Sequence, residues 1–367
     1  MKNWLWTLLV IVGGYWAYRH WFASDEPAEA APPALEVEKT EEAAAPPAEE
    51  KGAARPSVEL EHLGAPAAAP ADEGPAAQLA VEWRGALARA DMEAARTLGE
   101  KLLREAPDSD AARWVHYERG REALRLYADA GKTNEGFVHA RTAWLELTPV
   151  LFARDLAEEE RTELRSKLRE LARDLLFTRH VEGMDKSYVP KRGDSLSVLC
   201  AKVFPQWGTK LSPGFLVEIN RLGAATNLRA GVSIRVPIGE PQIVIRKGEF
   251  RLYYLFAGGY VQDFPVGLGR EGTTPEGTFT IAEMIRNPDW HPRAGVIIPY
   301  GDPRNILGSR WMAFRDTPEH QGFGIHGTTE PGSIGKEASS GCVRMLREDV
   351  ERLFEWTPRG TRVEIAR

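Results

Sequence analysis

A tract of Ala, Pro and Glu without a single aromatic residue separates the first 22 residues of this chain from the rest. It runs from residue 23 to residue 75, and between Asp25 and Glu73 it holds thirteen acidic and three basic side chains. Such a segment cannot bury enough apolar surface to offset the chain entropy lost on folding, so we predict a disordered linker that proline and charge repulsion keep extended. The 367 residues therefore predict a multidomain protein whose folded domains follow the linker.

The segment before the linker, residues 1–22, is predicted to be a membrane anchor. Residues 4–18 are apolar throughout, slightly short of the roughly 17–25 residues that a straight helix needs to cross a bilayer. Aromatic residues at both ends of this run are typical of a membrane interface: Trp4, Trp6, Tyr15, Trp16, Tyr18 and Trp21. A cleaved signal peptide is the alternative, but no convincing small-x-small cleavage site follows the run closely.

Charge and cysteine content exclude two classes of protein. Outside the stretch from Asp25 to Glu73 the chain carries a formal charge of +4, and no folded segment stands out as basic. Without a basic stripe, zinc-ligand spacing or aromatic–basic interleaving, nucleic acid is not expected as a partner. Two cysteines exclude a disulfide framework. Cys200 lies on the apolar face of a short predicted helix, so we expect a small core residue rather than a disulfide partner of Cys342.

Residues 76–181 are predicted to form an all-α region. Apolar residues recur about once per helical turn near its start: Leu79, Trp83 and Leu87. Two further helices are predicted at about 134–147 and 157–178. The paired helices, with small residues at packing positions, resemble a tetratricopeptide unit, although the full repeat signature is missing. The predicted role is a spacer or scaffold, with binding of a protein partner as the alternative.

Residues 187–238 predict a small β-α-α-β module. It resembles a LysM module, and the resemblance rests on these residues: Tyr188, GDSL (193–196), EIN (218–220), TNLRAG (226–231) and IRVP (234–237). The insertion at 204–213 is longer than in the short form of the module. The resemblance implies binding of N-acetylglucosamine-containing glycan along two loops, at Gly193, Asp194, Asn227 and Leu228. Asn220 is expected to serve packing instead.

Residues 241–367 change to β character and are predicted to form a β-rich domain. Apolar–polar alternation between residues 241 and 269 predicts three strands separated by glycine turns. Further sheet segments are predicted at 273–292, 308–314, 322–328 and 361–365. One helix is predicted, at 346–357.

The run HGTTEPGSIGKEASSGCVRM, residues 326–345, offers two alternative nucleophiles. Ser333 and Lys336 form the S-x-x-K pattern of serine acyltransferases, in which the lysine lies one helical turn after the serine. Pro331 and several glycines oppose a helix here, and the domain contains no S-D-N or K-T-G partner motif. We therefore reject the serine mechanism.

The second candidate pair is His326 and Cys342. His326 ends an apolar strand, so its side chain is predicted to project into a cleft. An imidazole, the nearby Arg344 and the N-terminus of the following helix would each favour a thiolate at Cys342. Amides around Gly341 and Cys342 could hold a developing oxyanion. Spacing alone leaves the pair a hypothesis, because a His and a Cys in one loop are usually unrelated.

The C-terminal domain resembles the L,D-transpeptidase catalytic domain of the YkuD type. The resemblance rests on these motifs: TPEGTFTI (274–281), NPDW (287–290), NILGSRWM (305–312), IHGT (325–328), IG (334–335) and SSGCVRM (339–345). It implies that Cys342 is the nucleophile and His326 the base, oriented by the backbone carbonyl of Gly327. Arg344 and Ser339 are the candidate substrate-binding residues, Arg344 for a substrate carboxylate.

The cysteine motif departs from that of many family members, which read Ser-His-Gly-Cys. This chain has Ser-Ser-Gly-Cys at 339–342, so any role of the second histidine must pass to Ser340 or be lost. Ser340, Gly341 and Gly327 are the predicted supporting or oxyanion residues. Two other histidines are expected to be structural or surface residues: His291 and His320.

The reaction implied by the resemblance is acyl transfer on peptidoglycan. The Cys342 thiolate attacks the carbonyl of the third residue of a tetrapeptide stem, D-Ala leaves, and a thioester forms. A side-chain amine of a neighbouring stem then gives a 3→3 cross-link. Water as acceptor would make the enzyme an L,D-carboxypeptidase, and a lipoprotein or a D-amino acid are further acceptors. No metal or organic cofactor is implied.

Anchor, linker, LysM-like module and catalytic domain together predict an enzyme of the bacterial cell envelope. The chain would be membrane-anchored with its C-terminal domains in the periplasm or another extracytoplasmic space, and would act in cell-wall biogenesis and remodelling. A non-catalytic peptidoglycan-binding scaffold is the alternative from another class. The intact His326, Gly341, Cys342 and Arg344 count against it.

Overall fold

The computed structural model describes residues 75–107, 109–153, 156–178, 180–293 and 295–367. The predicted anchor, and the predicted linker except for its last residue, lie outside these ranges. Among the helices in the described ranges, none combines the length and the apolar character needed to cross a bilayer.

The described part of the helical region contains five α-helices. They are α1 (Pro75–Ala88), α2 (Met92–Glu105), α3 (Asp110–Ala130), α4 (Asn134–Val150) and α5 (Glu158–Ala172), the last continued by a π-helical segment, Arg173–Thr178. Side chains of Asp91, Ser109 and Thr133 cap α2, α3 and α4 by accepting backbone N–H groups. The helices predicted from periodicity are confirmed.

The small module has the predicted order of elements. Its strands β1 (Asp185–Tyr188) and β2 (Ile234–Pro237) pair antiparallel and enclose α6 (Leu196–Val198) and α7 (Pro213–Ile219). A π-helical segment (Leu199–Val203) and a 3₁₀ turn (Phe204–Trp207) continue α6. Cys200 is buried, and burial raises the pKa of its thiol to about 12. The core position predicted for Cys200 is therefore confirmed.

Asn220 joins the second helix of the module to its second strand. Its amide donates to the carbonyls of Leu216 and Arg235 at 3.0 and 2.9 Å, and its oxygen accepts the Arg235 N–H at 2.7 Å. Satisfying these three groups fixes how the chain leaves α7 and enters β2.

The C-terminal domain is a β-barrel with one helix. Its described elements are β3 (Pro241–Arg246), β4 (Arg251–Phe256), β5 (Gly259–Gly269), β6 (Gly277–Arg286), β7 (Trp290–Arg293), β8 (Val296–Ile298), β9 (Arg310–Phe314), β10 (Gly324–His326), β11 (Glu337–Ser339), β12 (Val343–Met345), α8 (Arg347–Trp356) and β13 (Arg362–Ala366). Strands follow the order β5-β12-β10-β9-β6-β13-β3-β4, and β4 pairs again with β5, which closes the sheet. Strand β11 adds to the end of β5.

One predicted sheet segment lies outside the barrel. Residues 290–292 were expected to continue the strand that is β6, but they belong to β7, which pairs only with β8 among the described strands. The chain turns between β6 and β7 at Asn287, whose φ is +50°. This places the β7–β8 hairpin apart from the barrel sheet.

Helix α4 packs directly on the barrel. Trp144 is fully buried and donates its Nε1–H to the Tyr260 carbonyl at 2.5 Å, while Thr148 Oγ1 accepts the Tyr260 N–H at 3.0 Å. Gly259 makes this approach possible, because a Cβ there would lie 2.3 Å from the indole. The second half of the helical region therefore shares the hydrophobic core of the barrel, which its periodicity did not predict.

The small module packs on the barrel through α7. The Phe215 ring lies 5.2 to 6.0 Å, between centroids, from the rings of Tyr254, Phe256 and Trp356. One continuous hydrophobic core extends from Tyr117 of α3 to the last strand. A second, smaller cluster holds α1 and α2 against the start of α3.

Candidate active site

Strand pairing brings the predicted His–Cys pair together. β10 and β12 are neighbouring parallel strands, and their register places His326 beside Arg344. Since side chains alternate between faces along an extended chain, Cys342, two residues before Arg344, belongs to the same face. Both His326 and Cys342 line one cavity of about 430 Å³.

His326 is buried and tightly oriented. Its Nδ1 lies 2.5 Å from the carbonyl oxygen of Gly327, the contact expected for that carbonyl. The side chain is 2% exposed, and burial is the main reason that its pKa falls from 6.5 to about 4. The positive charge of Arg344 lowers the pKa further, so the imidazole is neutral at pH 7.

The surroundings of Cys342 favour the neutral thiol over the thiolate. Burial raises the pKa of Cys342 above its ordinary value, outweighing the backbone hydrogen bond from Gly324 and the charge of Arg344. The sulfur lies 3.7 Å from the carbonyl oxygen of Gly322. Among the hydrogen bonds of the described residues, none joins Cys342 to His326.

The helix following the cysteine is too distant to act on the thiol. Four residues, the three of β12 and Leu346, separate Cys342 from α8. At about 3.3 Å per residue of extended chain, the helix begins on the order of 15 Å along the chain from Cys342, whereas the effect of a helix end falls off within about one turn. The expected contribution of this helix to thiolate formation is therefore wrong.

The backbone around the cysteine is fixed by Ser339 and Gly341. Ser339 is buried, donates its hydroxyl to the Cys342 carbonyl at 2.7 Å and accepts the Gly341 N–H at 3.0 Å. Gly341 has φ +132°, and a Cβ there would lie 2.5 Å from the ring of Phe323. The Gly341 amide predicted as an oxyanion donor is thus already engaged.

The cavity wall contains groups whose position the sequence did not reveal. The β7–β8 hairpin contributes Trp290 and His291, and Ser340 lines the cavity with an exposed side chain. His291 was expected to be a structural or surface residue; it is exposed and also faces this cavity. The NPDW motif directly before His291 was the sequence signal for its position. His320 instead makes an edge-to-face contact with the ring of Phe323.

Arg344 lies at the inner wall of the cavity with one charged partner. Its side chain is 9% exposed, and its Nη1 donates to Glu330 Oε2 at 2.8 Å. The Nε–H of Arg344 is buried and has no hydrogen-bond partner among the residues that the structure describes. Glu330 was missed by sequence analysis because a single exposed carboxylate in a loop has no distinguishing pattern.

The rejected serine pair has no catalytic geometry. Ser333 is buried in a 3₁₀ turn and donates its hydroxyl to the Glu330 carbonyl at 2.7 Å. Lys336 is exposed three residues beyond the end of that turn. The two residues do not share a helical turn, as the glycines and proline indicated.

The four residues predicted to bind glycan lie on two loops of the small module. Gly193 has φ +93° and open space beside its Cα. Asp194 accepts a hydrogen bond from the Tyr188 hydroxyl at 2.8 Å, and Asn227 donates to a carbonyl of its own loop at 2.6 Å. Leu228 is partly buried against the core. Asp194 and Asn227 therefore maintain the conformations of their loops.

Comparison with known proteins identifies the family of the barrel. The model of the YkuD family, described as the L,D-transpeptidase catalytic domain, matches residues 240–365. YkuD of Bacillus subtilis (strain 168), named as an L,D-transpeptidase, is 32% identical over 188 residues, which cover 49% of this chain and 99% of YkuD. The chain belongs to the YkuD family of L,D-transpeptidases. This family is a class of peptidoglycan acyltransferase.

Two other relatives agree with this family. YqjB of Bacillus subtilis (strain 168), also named as an L,D-transpeptidase, is 35% identical over 130 residues, or 35% of this chain and 72% of YqjB. ErfK/SrfK of Salmonella typhimurium (strain LT2), likewise named, is 35% identical over 133 residues, or 34% of this chain and 43% of that protein. The YkuD match is longer than the family domain, and only two residues follow position 365. The additional aligned residues therefore precede the barrel.

Proposed function

We propose that this protein is a peptidoglycan L,D-transpeptidase that forms 3→3 cross-links through a thioester on Cys342. The observation that supports this most directly is the neutral, buried imidazole of His326 in the same cavity as the Cys342 thiol. A neutral imidazole accepts a proton, and a thiol that gives up its proton becomes a nucleophile.

The proposed first half-reaction acylates the thiol. His326 accepts the Cys342 proton as the sulfur attacks the carbonyl carbon of the third stem residue. The tetrahedral intermediate collapses, the bond to D-Ala breaks, and the leaving amine takes the proton from His326. Because burial disfavours the charged forms of both groups, we propose that proton transfer from Cys342 to His326 accompanies the attack.

The proposed second half-reaction releases the thiol. A side-chain amine of a second stem attacks the thioester carbonyl and gives its proton to His326. The C–S bond breaks, and the sulfur recovers the proton from His326. Attack by water in place of the amine would give an L,D-carboxypeptidase, and a lipoprotein or D-amino-acid amine would give the corresponding conjugate.

The remaining polar groups suit positioning roles. We assign the donor's carboxylate to Arg344, whose buried Nε–H has no partner while Glu330 holds Nη1. The Ser340 hydroxyl, exposed in the cavity, is the proposed oxyanion donor, since the Gly341 amide is bonded to Ser339. Ser339 would hold the backbone around Cys342 in place, and the Gly327 carbonyl would orient the imidazole of His326.

The other segments complete the proposal. We propose that residues 187–238 form a LysM module that holds glycan at the Gly193–Asp194 and Asn227–Leu228 loops. Residues 1–22 would anchor the chain in the membrane. Residues 23–75 would act as a flexible linker that lets the folded domains extend away from the anchor, and residues 76–181 would support the catalytic domain at 241–367. The site of action is the cell envelope, outside the cytoplasm. The extension of the YkuD match to residues before the barrel supports assigning module and barrel to one functional unit.

Intact-mass spectrometry with disaccharide-tetrapeptide tests this proposal. We expect a mass increase on Cys342, release of D-Ala and a dimeric product, with all three lost in Cys342→Ala. Cys200→Ala is the matched control and should retain activity on this substrate, because Cys200 is buried and is not among the residues that line the cavity containing Cys342. D-Ala release without dimers would identify the carboxypeptidase, and the absence of both adduct and D-Ala would favour the non-catalytic scaffold.

A second arm of the same experiment examines substrate positioning. Glu330→Gln removes the charged partner of Arg344, so KM for the tetrapeptide should rise several-fold while the extent of acylation at saturation is kept. Glu330→Asp should restore part of the loss. An unchanged KM in Glu330→Gln would exclude this carboxylate from substrate positioning.

A further inference from the structure

A large cleft lies between the small module and the barrel, next to the catalytic cavity. Its volume is about 1790 Å³, well above the roughly 300–1,000 Å³ of ordinary small-molecule pockets. One wall is formed by α6 and the loop at 223–225, and the other by α8 and the end of β6. Ile285 lines both this cleft and the cavity that contains Cys342. The two spaces therefore adjoin.

The geometry of the cleft is fixed by contacts beneath it. Trp356 Nε1 donates to Glu218 at 2.7 Å, and Lys210 Nζ donates to the Gly360 carbonyl at 3.1 Å. At Gly214 the small module approaches α8 so closely that a Cβ on this residue would lie 2.5 Å from the Glu355 carbonyl oxygen. A ligand in the cleft would be held at a constant distance from Cys342, because neither wall can move independently.

The polar side chains of the walls suit a hydroxyl-rich occupant that also carries carboxylates on its peptide stems. Two ion pairs lie along the cleft, Arg352 with Glu218 at 2.8 Å and Arg286 with Glu355 at 2.7 Å, and they offer donors and acceptors to hydroxyl groups. Arg221 and Arg359 also line the cleft and form no ion pair with the described residues. Arg310 lines the cleft, and its buried Nε–H has no acceptor within the described part of the chain.

The position of the cleft completes the argument. Its module wall begins at Ser197 and at residues 223–225, directly beside the turn at 193–196 and the loop containing Asn227. We infer that the cleft binds a peptidoglycan glycan strand that continues from these loops, and that it directs stems of that strand to Cys342. This inference rests on the proposed function, and it adds a glycan subsite built by the module and the barrel together.

Filling the cleft from either wall tests the inference. Ala224→Trp and Arg359→Trp place an indole in the cleft from the module and the barrel, and both positions are exposed. With the full chain, each should weaken binding of peptide-free glycan chains of several disaccharides by about tenfold or more. Turnover of free tetrapeptide should stay at the wild-type level, since the catalytic cavity is unchanged.

Neighbouring positions supply matched controls. Val198→Trp and Arg362→Trp lie near the same two walls, are exposed and do not line the cleft. They should bind glycan as the wild type does. Unchanged binding in both cleft variants, equal loss in the controls, or no glycan binding by the wild type would each overturn the inference. Glycan binding lost only in the cleft variants, without turnover of tetrapeptide by the wild type, would support the subsite and contradict the proposed reaction.

Discussion

At the scale of single residues, the resting protonation of the candidate pair is the feature that sequence could not supply. The motif around Cys342 suggested a thiolate, yet burial dominates both groups and leaves a neutral thiol beside a neutral imidazole. Sequence names the groups, but their pKa values depend on how much solvent the surrounding strands and the β7–β8 hairpin exclude.

The neutral pair predicts slow alkylation of the free enzyme at neutral pH. Because the pKa of the Cys342 thiol is raised, little thiolate exists at pH 7, and the rate of iodoacetamide labelling should keep rising above pH 9. Mass spectrometry across pH measures this, with Cys342→Ala as the unlabelled control. A rate that is already at its plateau at pH 6 would establish a resting ion pair.

Protonation of His326 predicts how turnover depends on pH. In a plot of kcat/KM against pH, activity should fall near pH 4, where His326 becomes protonated and can no longer accept the thiol proton.

At the scale of elements, segments with a clear apolar pattern were predictable, and strands such as β11 and β12 were not. The helices and β3, β4, β5, β6 and β13 follow from apolar spacing. Strands β11 and β12 have three residues each and lie among glycines and serines, so their pairing with β5 decides their structure. On its other edge β12 pairs with β10, and this pairing builds the candidate site. The sequence therefore identified His326 and Cys342 but not the residues around them.

The docking of α4 on the barrel gives a stability prediction at this scale. Trp144→Ala removes a fully buried indole and leaves the Tyr260 carbonyl without its donor. The free energy of unfolding should fall by about 3–5 kcal/mol, the usual cost of deleting a buried aromatic side chain. Val138→Ala, at an exposed position of the same helix, should cost less than about 0.5 kcal/mol. Urea denaturation measures both; a loss below about 1 kcal/mol in Trp144→Ala would show that α4 is not part of the cooperative core.

At the scale of the whole molecule, the described chain has one large core and one small one. The prediction of a spacer at residues 76–181 made no distinction between the helices. Periodicity identifies the apolar face of a helix, but it does not show which element packs against that face. In the structure the faces of α4 and α5 are covered by the barrel, and α1 and α2 are covered only by each other and by the start of α3. The helical region therefore divides within α3.

This division predicts the pattern of native-state hydrogen exchange. Amides of α4 and α5 should exchange through the same global opening as β3 and β13, since they share a core, whereas α1 and α2 should open at a lower free energy. Mass-spectrometric exchange with increasing urea measures both classes. Leu102→Ala, in the small cluster, should accelerate exchange in α1 and α2 and leave α4 and the barrel unchanged. If α4 and α5 instead exchanged together with α1 and α2, well before the barrel, the helices would form an independent spacer domain and the catalytic barrel would be stable without them.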